Sequence, residues 1–218
     1  MELMERYRKA VDDLFAKVRD TQTEKIIEAG ELIANSVAKG GKILLSGICH
    51  SIEKDLLYRG GGPIFYKAYD PEKHYDTLKA GDVLVVSSVS GRTKKVVDLT
   101  YEMVQRGVSV IAFTSMEYAV QVDPVHESGK KLYEMATLTL DNCAPAAEAM
   151  LEVEGIEARF AAASGIASDY IMWSVTSVAV EKLLAMGLTP GILKSANFPG
   201  GSEYNKTVIE PNFEKYGY

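Results

Sequence analysis

Apolar residues recur at Leu3, Tyr7, Val11, Leu14 and Val18, the spacing of one helical face, and predict a helix from about residue 2 to 19. A second helix is expected from near Thr21, where Glu24 completes a capping-box pattern. Ile26, Ile27, Ile33 and Val37 are its apolar positions, and Gly40-Gly41 ends it. The pattern then changes to short apolar runs at Ile43 to Leu45, Val83 to Val86, Val110 to Phe113 and Ala136 to Leu140, with helical stretches between most of them. Such runs read as buried parallel strands. Ile64 to Tyr66 adds another short strand. Val96, Val97, Thr100, Met103 and Val104 mark a helix that stops at Gly107 and completes a βαβ unit. A long helix is expected from about Ser168 to Met186, apolar on several sides, ending at Gly187 before Pro190. Thr189 to Tyr218 shows little periodicity and reads as an irregular extension. The sum is a single α/β domain over residues 1–218, with a helical extension over 1–40 and an irregular one over 189–218.

Composition narrows the function. Of 218 residues, 47% are apolar and 25% charged, the balance of an ordinary globular chain. The formal net charge of -6 is spread along the sequence, with no basic stripe, so no nucleic-acid partner is expected. The charged, amphipathic start Met1-Glu2-Leu3-Met4-Glu5-Arg6 resembles neither a signal peptide nor a membrane span, so no membrane partner and a cytoplasmic location are expected. Cys49 and Cys143 match no metal or redox spacing and read as reduced thiols.

The chemistry is expected where strands end. The first strand runs into Ser46-Gly47-Ile48-Cys49-His50-Ser51, and ligands of open parallel sheets bind beyond the carboxyl ends of the strands, where helix N-termini offer unpaired amides to anions. Ser51 can bind a phosphate oxygen there or serve as a plain helix cap. The third strand runs into Ser87-Ser88-Val89-Ser90-Gly91-Arg92-Thr93, where Ser88, Ser90 and Thr93 put three hydroxyls on a glycine-containing turn that opens a helix. Neither turn ends in GK[ST], and no GxGxxG occurs.

The paired turns, G-x-x-x-S and S-x-S-G-x-T, resemble the phosphosugar-binding signature of the sugar isomerase (SIS) domain family. His126 to Tyr133, Asp141-Asn142-Cys143-Ala144-Pro145 and Ser195-Ala196-Asn197 resemble a bacterial subgroup of that family. The resemblance implies a three-layer fold with a five-stranded, mainly parallel sheet flanked by helices. It also implies a phosphorylated sugar bound by Ser51, Ser88, Ser90 and Thr93, with Gly47, Gly91 and Asn142 beside them, and a homodimer or homotetramer. Many relatives have Gly where this chain has Cys49, which bears on how closely the backbone approaches a ligand.

Aldose-ketose isomerisation needs a base that moves a proton between adjacent carbons and a group that polarises the carbonyl. Glu148, after the Asp141 to Pro145 loop, is the leading base; the alternative is a glutamate that merely suits a helix start. His50 and His126 are the further acid or base candidates. Glu53 and Asp55 could reach sugar hydroxyls, and Lys130 and Lys131 could meet the phosphate, or all four could be solvated. No organic cofactor is required, and the histidines share no metal-ligand spacing. Amino-sugar phosphate deamination, lactyl-ether cleavage, or a noncatalytic phosphosugar sensor are the rival readings of the same scaffold.

Overall fold

The computed structural model describes residues 2–50 and 52–218. In chain order it contains α1 (Glu2–Ala38), β1 (Ile43–Leu45), α2 (Glu53–Leu56), β2 (Tyr66–Ala68), α3 (Pro71–His74), β3 (Val83–Ser87), α4 (Lys94–Gln105), β4 (Ser109–Thr114), α5 (Met116–Ala119), β5 (Leu138–Asp141), β6 (Ala149–Val153), β7 (Ile156–Ala162), α6 (Ser164–Ala185), α7 (Gly201–Tyr204) and α8 (Glu210–Tyr216). Five strands form one parallel sheet in the order β2-β1-β3-β4-β5, and β6 and β7 form a separate antiparallel pair.

The alternation along the strands divides the core into two layers. Ile43 and Leu45, Val83 and Val85, Ile111 and Phe113, and Leu138 and Leu140 point to the face covered by α1 and α6. Leu44, Leu84, Val86, Val110 and Ala112 point to the opposite face, where Val97 and Met103 of α4 meet them. Gly30 lets α1 and α6 approach closely, because a β-carbon there would stand 2.5 Å from Val178 Cβ and 2.9 Å from the Val175 carbonyl.

Several boundaries differ from the sequence reading. The two expected N-terminal helices are one, because the Thr21 hydroxyl donates to the Lys17 carbonyl at 2.7 Å, one turn back inside the helix, instead of capping a new start. The long helix begins at Ser164, and the helix after the first turn is only the four-residue α2. The apolar pattern does not predict the β6–β7 hairpin. Residues 201–216 are helical rather than irregular: Gly200, in the left-handed region at φ 76°, starts α7, and Pro211 lies in the first turn of α8.

Candidate functional site

The strand order reverses direction at β1 and β3, and in such sheets the crevice opens outside the carboxyl ends of the strands at that switch point. Both serine-bearing turns lie there, and one side chain joins them. Ser87, the last residue of β3, accepts the Cys49 amide at 2.7 Å and donates to the Gly47 carbonyl at 3.4 Å. The first turn is further shaped by Glu53, whose carboxylate accepts the Ile48 amide at 2.8 Å, so this residue holds backbone instead of facing solvent. Cys49 and His50 sit in the left-handed region, at φ 31° and 62°. Ser51 lies outside the described residues.

Cys49 points inward. Its sulfur accepts the Ser168 hydroxyl at 3.2 Å and lies 3.9 Å from the Asn142 amide nitrogen, which also donates to Ser168 at 3.4 Å. Burial pushes the Cys49 thiol above its ordinary pKa, against the opposing hydrogen bonds from Ser168, Ser87 and Asn142. Asn142 is fully buried behind the first turn, and its Oδ1 accepts the Ala144 amide at 3.1 Å. It braces the wall of the site from behind.

In the second turn the Ser88 hydroxyl accepts the Thr93 amide at 3.1 Å and lies 2.8 Å from the Thr93 hydroxyl. Gly91 takes φ 67°, and a β-carbon there would lie 3.1 Å from Ala119 Cβ and 3.2 Å from Thr114 Oγ1. Its carbonyl accepts the Leu132 amide at 2.8 Å, tying the turn to the 126–134 segment. Thr93 opens α4, whose first amides have no partner inside the helix, and Thr93 itself lines the cleft.

The third wall is the loop after β5. Ala147 and Glu148 are both left-handed, at φ 59° and 83°. Such residues cost about 1–3 kcal/mol each and persist where the surroundings enforce them. The enforcement is visible at Glu148: its carbonyl accepts the Ala163 amide at 3.0 Å, and Oε1 accepts the Ser164 amide at 3.2 Å together with the Ser164 hydroxyl. His50 Nε2 stands 4.0 Å from the same oxygen. Glu148 thus caps the start of α6 and roots the β6–β7 hairpin, a position set by tertiary contacts and not by a helix of its own.

Gly47, Cys49, His50, Ser87, Ser88, Val89, Ser90, Thr93, Tyr118 and Glu148 line a single open cleft of about 490 Å³. Of the residues marked from sequence, it unites Gly47, His50, Ser88, Ser90, Thr93 and Glu148. Tyr118 and Ser87 were missed. Tyr118 is carried by α5, whose cap Ser115 accepts the Tyr118 amide at 3.1 Å, and a Ser directly after the β4 apolar run is the signal by which it could have been found.

His126 is elsewhere. It borders a separate depression on the outer face of α4, where its ring is buried, Nε2 lies 3.5 Å from Asp98 and Nδ1 accepts the Ser128 amide at 3.1 Å. That depression, of about 510 Å³, and another of about 520 Å³ beside Lys67 and Phe213 are as large as the cleft, but neither is lined by the switch-point turns. Lys131 is buried and donates to the carbonyls of Ala119 at 2.6 Å and Val122 at 3.0 Å, so its charge is spent on backbone. Lys130 borders a small depression with Ser128 and Glu134. Asp55 accepts the Trp173 indole at 3.0 Å and pairs with Arg59. Cys143 is buried and raised above its ordinary pKa, by burial first and the Asp141 carboxylate second. Among the described residues no three His, Cys, Asp or Glu side chains are grouped to hold a metal ion, and no helix is long and apolar enough to cross a membrane.

The SIS domain family model matches residues 6–73 and 69–115 of this chain. A UPF0309 protein of Streptomyces griseus is 32% identical over 224 residues, covering 90% of this chain and 89% of the relative. Among solved structures, a phosphoheptose isomerase from Francisella tularensis superposes with a TM-score of 0.56 at 14% identity, covering 82% of this chain and 96% of that one. The Vibrio vulnificus NanR protein complexed with ManNAc-6P gives the same TM-score at 15% identity, covering 98% of this chain and 70% of that one. These two likenesses show the fold.

Proposed function

The chain belongs to the SIS domain family, and from that premise we propose that it binds a phosphorylated sugar in the cleft between the β1 and β3 turns and isomerises it between aldose and ketose. The observation that carries the reading is the convergence of the two turns: Ser88, Ser90 and Thr93 at the start of α4 on one wall, Glu148 and His50 on the other. The first wall suits an anion without using a lysine or arginine, because a helix start presents several N–H groups and a positive dipole end together. Ser90 and Thr93 hold the phosphate with those amides, and Ser88 keeps the turn in shape.

The sugar chain then extends toward Glu148. Its carboxylate takes the proton from the carbon beside the carbonyl, an enediol forms, and the same carboxylate returns the proton to the neighbouring carbon. His50 moves the hydroxyl proton between the two oxygens in the same sense, from the oxygen of the carbon that loses its proton to the former carbonyl oxygen, so the reaction ends with no net change in atoms. Ser164 and the start of α6 hold the carboxylate in place, a case of a reacting group pre-positioned by strain and hydrogen bonds. Exchange of the sugar C1 and C2 protons with deuterated buffer tests this: enzyme-dependent exchange supports the isomerase, and its absence across phosphosugars that bind leaves only the holder.

One observation favours a second reading. The solved structure with the same TM-score as the isomerase is NanR, complexed with ManNAc-6P, so this fold also serves a ligand-bound protein outside the isomerases. On that reading the cleft senses the phosphosugar, and binding without exchange is the expected result.

A further inference from the structure

The β6–β7 hairpin is an anomaly in an otherwise well-covered chain. Its sheet has two strands, a size that is marginal in water without a third strand or a covering element, and α1 covers only β6, where Leu151 is buried and Arg6 donates to the Glu152 carbonyl. All seven residues of β7 are exposed except Ala161, which is half-buried. Ile156 and Phe160 show 54% and 50% of their surface to solvent. The pairing of Leu151 with Phe160 and of Val153 with Ile156 leaves Glu157, Ala158 and Arg159 opposite Glu152 alone, so the middle of β7 bows away from β6. An exposed strand edge of this kind is a template for pairing with another chain.

We propose that β7 is the seam of a two-fold dimer, lying antiparallel to β7 of a second copy with Ala158 on the axis. The sequence of the strand is complementary to its own reverse. About Ala158, Glu157 meets Arg159 of the partner subunit and Arg159 meets the partner's Glu157, while Ile156 meets the partner's Phe160 on both sides. A two-fold contact needs such self-complementarity, and the small alanine sits where the two backbones come closest. Charge pairing of this kind fixes register and partner more than it adds affinity. One terminal nitrogen of Arg159 donates to the Met150 carbonyl of β6 at 2.9 Å, and the other is not used by that bond. The hairpin leaves the body at Glu148 and returns at Ala163, the two residues joined by a 3.0 Å backbone bond. The seam therefore steadies the segment that carries Glu148. This inference concerns the free protein and does not depend on the ligand.

Sedimentation velocity without ligand tests it, with circular dichroism to show that each variant is folded. The wild type is expected to sediment as a dimer of 23.8 kDa chains. Glu157→Arg and Arg159→Glu each turn both attractive contacts repulsive and are expected to weaken the dimer by roughly tenfold or more. The double variant Glu157→Arg/Arg159→Glu restores opposite charges across the axis and is expected to recover the dimer. A monomeric wild type, single variants that dimerise as well as the wild type, or a double variant that fails to recover would each overturn the proposal.

Discussion

The Ser88 and Thr93 hydroxyls stand 2.8 Å apart, and the Ser88 oxygen also accepts the Thr93 amide at 3.1 Å. Ser88 is buried by this arrangement while Ser90, two residues on, is part of the cleft wall. The two serines therefore have separable roles. Ser88→Ala leaves the Thr93 amide without its partner and is expected to lower stability by about 1–2 kcal/mol. Ser90→Ala is expected to leave the melting temperature within a degree or so, since surface changes usually stay within about 0.5 kcal/mol. Only the second should weaken phosphosugar binding with the fold intact, as thermal melts and titrations of both variants will show.

Glu148→Gln keeps an oxygen that can accept from Ser164 but removes the base. Turnover is expected to fall by about 10²–10⁴-fold, while ligand affinity changes little. Ser164→Ala removes one of the two donors to Oε1 and should lower turnover less than Glu148→Gln does. Comparable losses in affinity and turnover for Glu148→Gln would assign this residue to the loop architecture alone.

The two histidines separate in the same assay. His50 stands 4.0 Å from the Glu148 carboxylate in the cleft, whereas His126 is packed against α4. His50→Ala is expected to reduce exchange by roughly 10²-fold, in the range for loss of a general acid or base. His126→Ala should alter stability through the lost Ser128 contact and leave exchange unchanged. Steady-state kinetics on both variants decides it.

Alkaline stability is carried in part by Tyr66. Its ring is fully buried, and its hydroxyl lies 2.9 Å from Thr176 Oγ1, which itself donates to the Met172 carbonyl at 2.7 Å; Tyr66 is thus the donor to Thr176. Burial pushes the phenol far above its ordinary value of 10.0. A pKa raised in the folded state favours the protonated native form: the contribution is complete below pH 10.0 and is lost as pH rises past it, because the unfolded phenol ionises first. Tyr66→Phe should cost about 0.5–1.5 kcal/mol near neutrality and flatten the fall in melting temperature above pH 10.0. Parallel curves for the two proteins across that range would contradict the assignment.

Much of this arrangement is legible in the sequence because strands buried on both faces leave unbroken apolar runs, and Val83 to Val86 followed by serines can be read without knowing what packs on it. The cleft follows from the same logic, since carboxyl ends of neighbouring parallel strands must meet. Features set by contacts distant in sequence are not legible. The capping pattern at Thr21 and Glu24 is overridden by a hydroxyl that bonds backward to Lys17. The β6–β7 hairpin leaves little trace because β7 buries no residue, so no alternation was imposed on it. The helices after Gly200 bury only Gly201 and Ile209, too few to write a period. Lys131 looks like a surface cation in sequence and is instead a buried donor to two carbonyls.

The most direct measurement is a calorimetric titration of the wild type and Ser90→Ala with a set of aldose and ketose phosphates, each beside its unphosphorylated sugar. If the two turns grip a phosphate ester together, at least one phosphosugar binds, its free sugar does not, and Ser90→Ala weakens the binding with no loss of fold. Equal binding of sugar and sugar phosphate, or an unchanged affinity in Ser90→Ala, would contradict it.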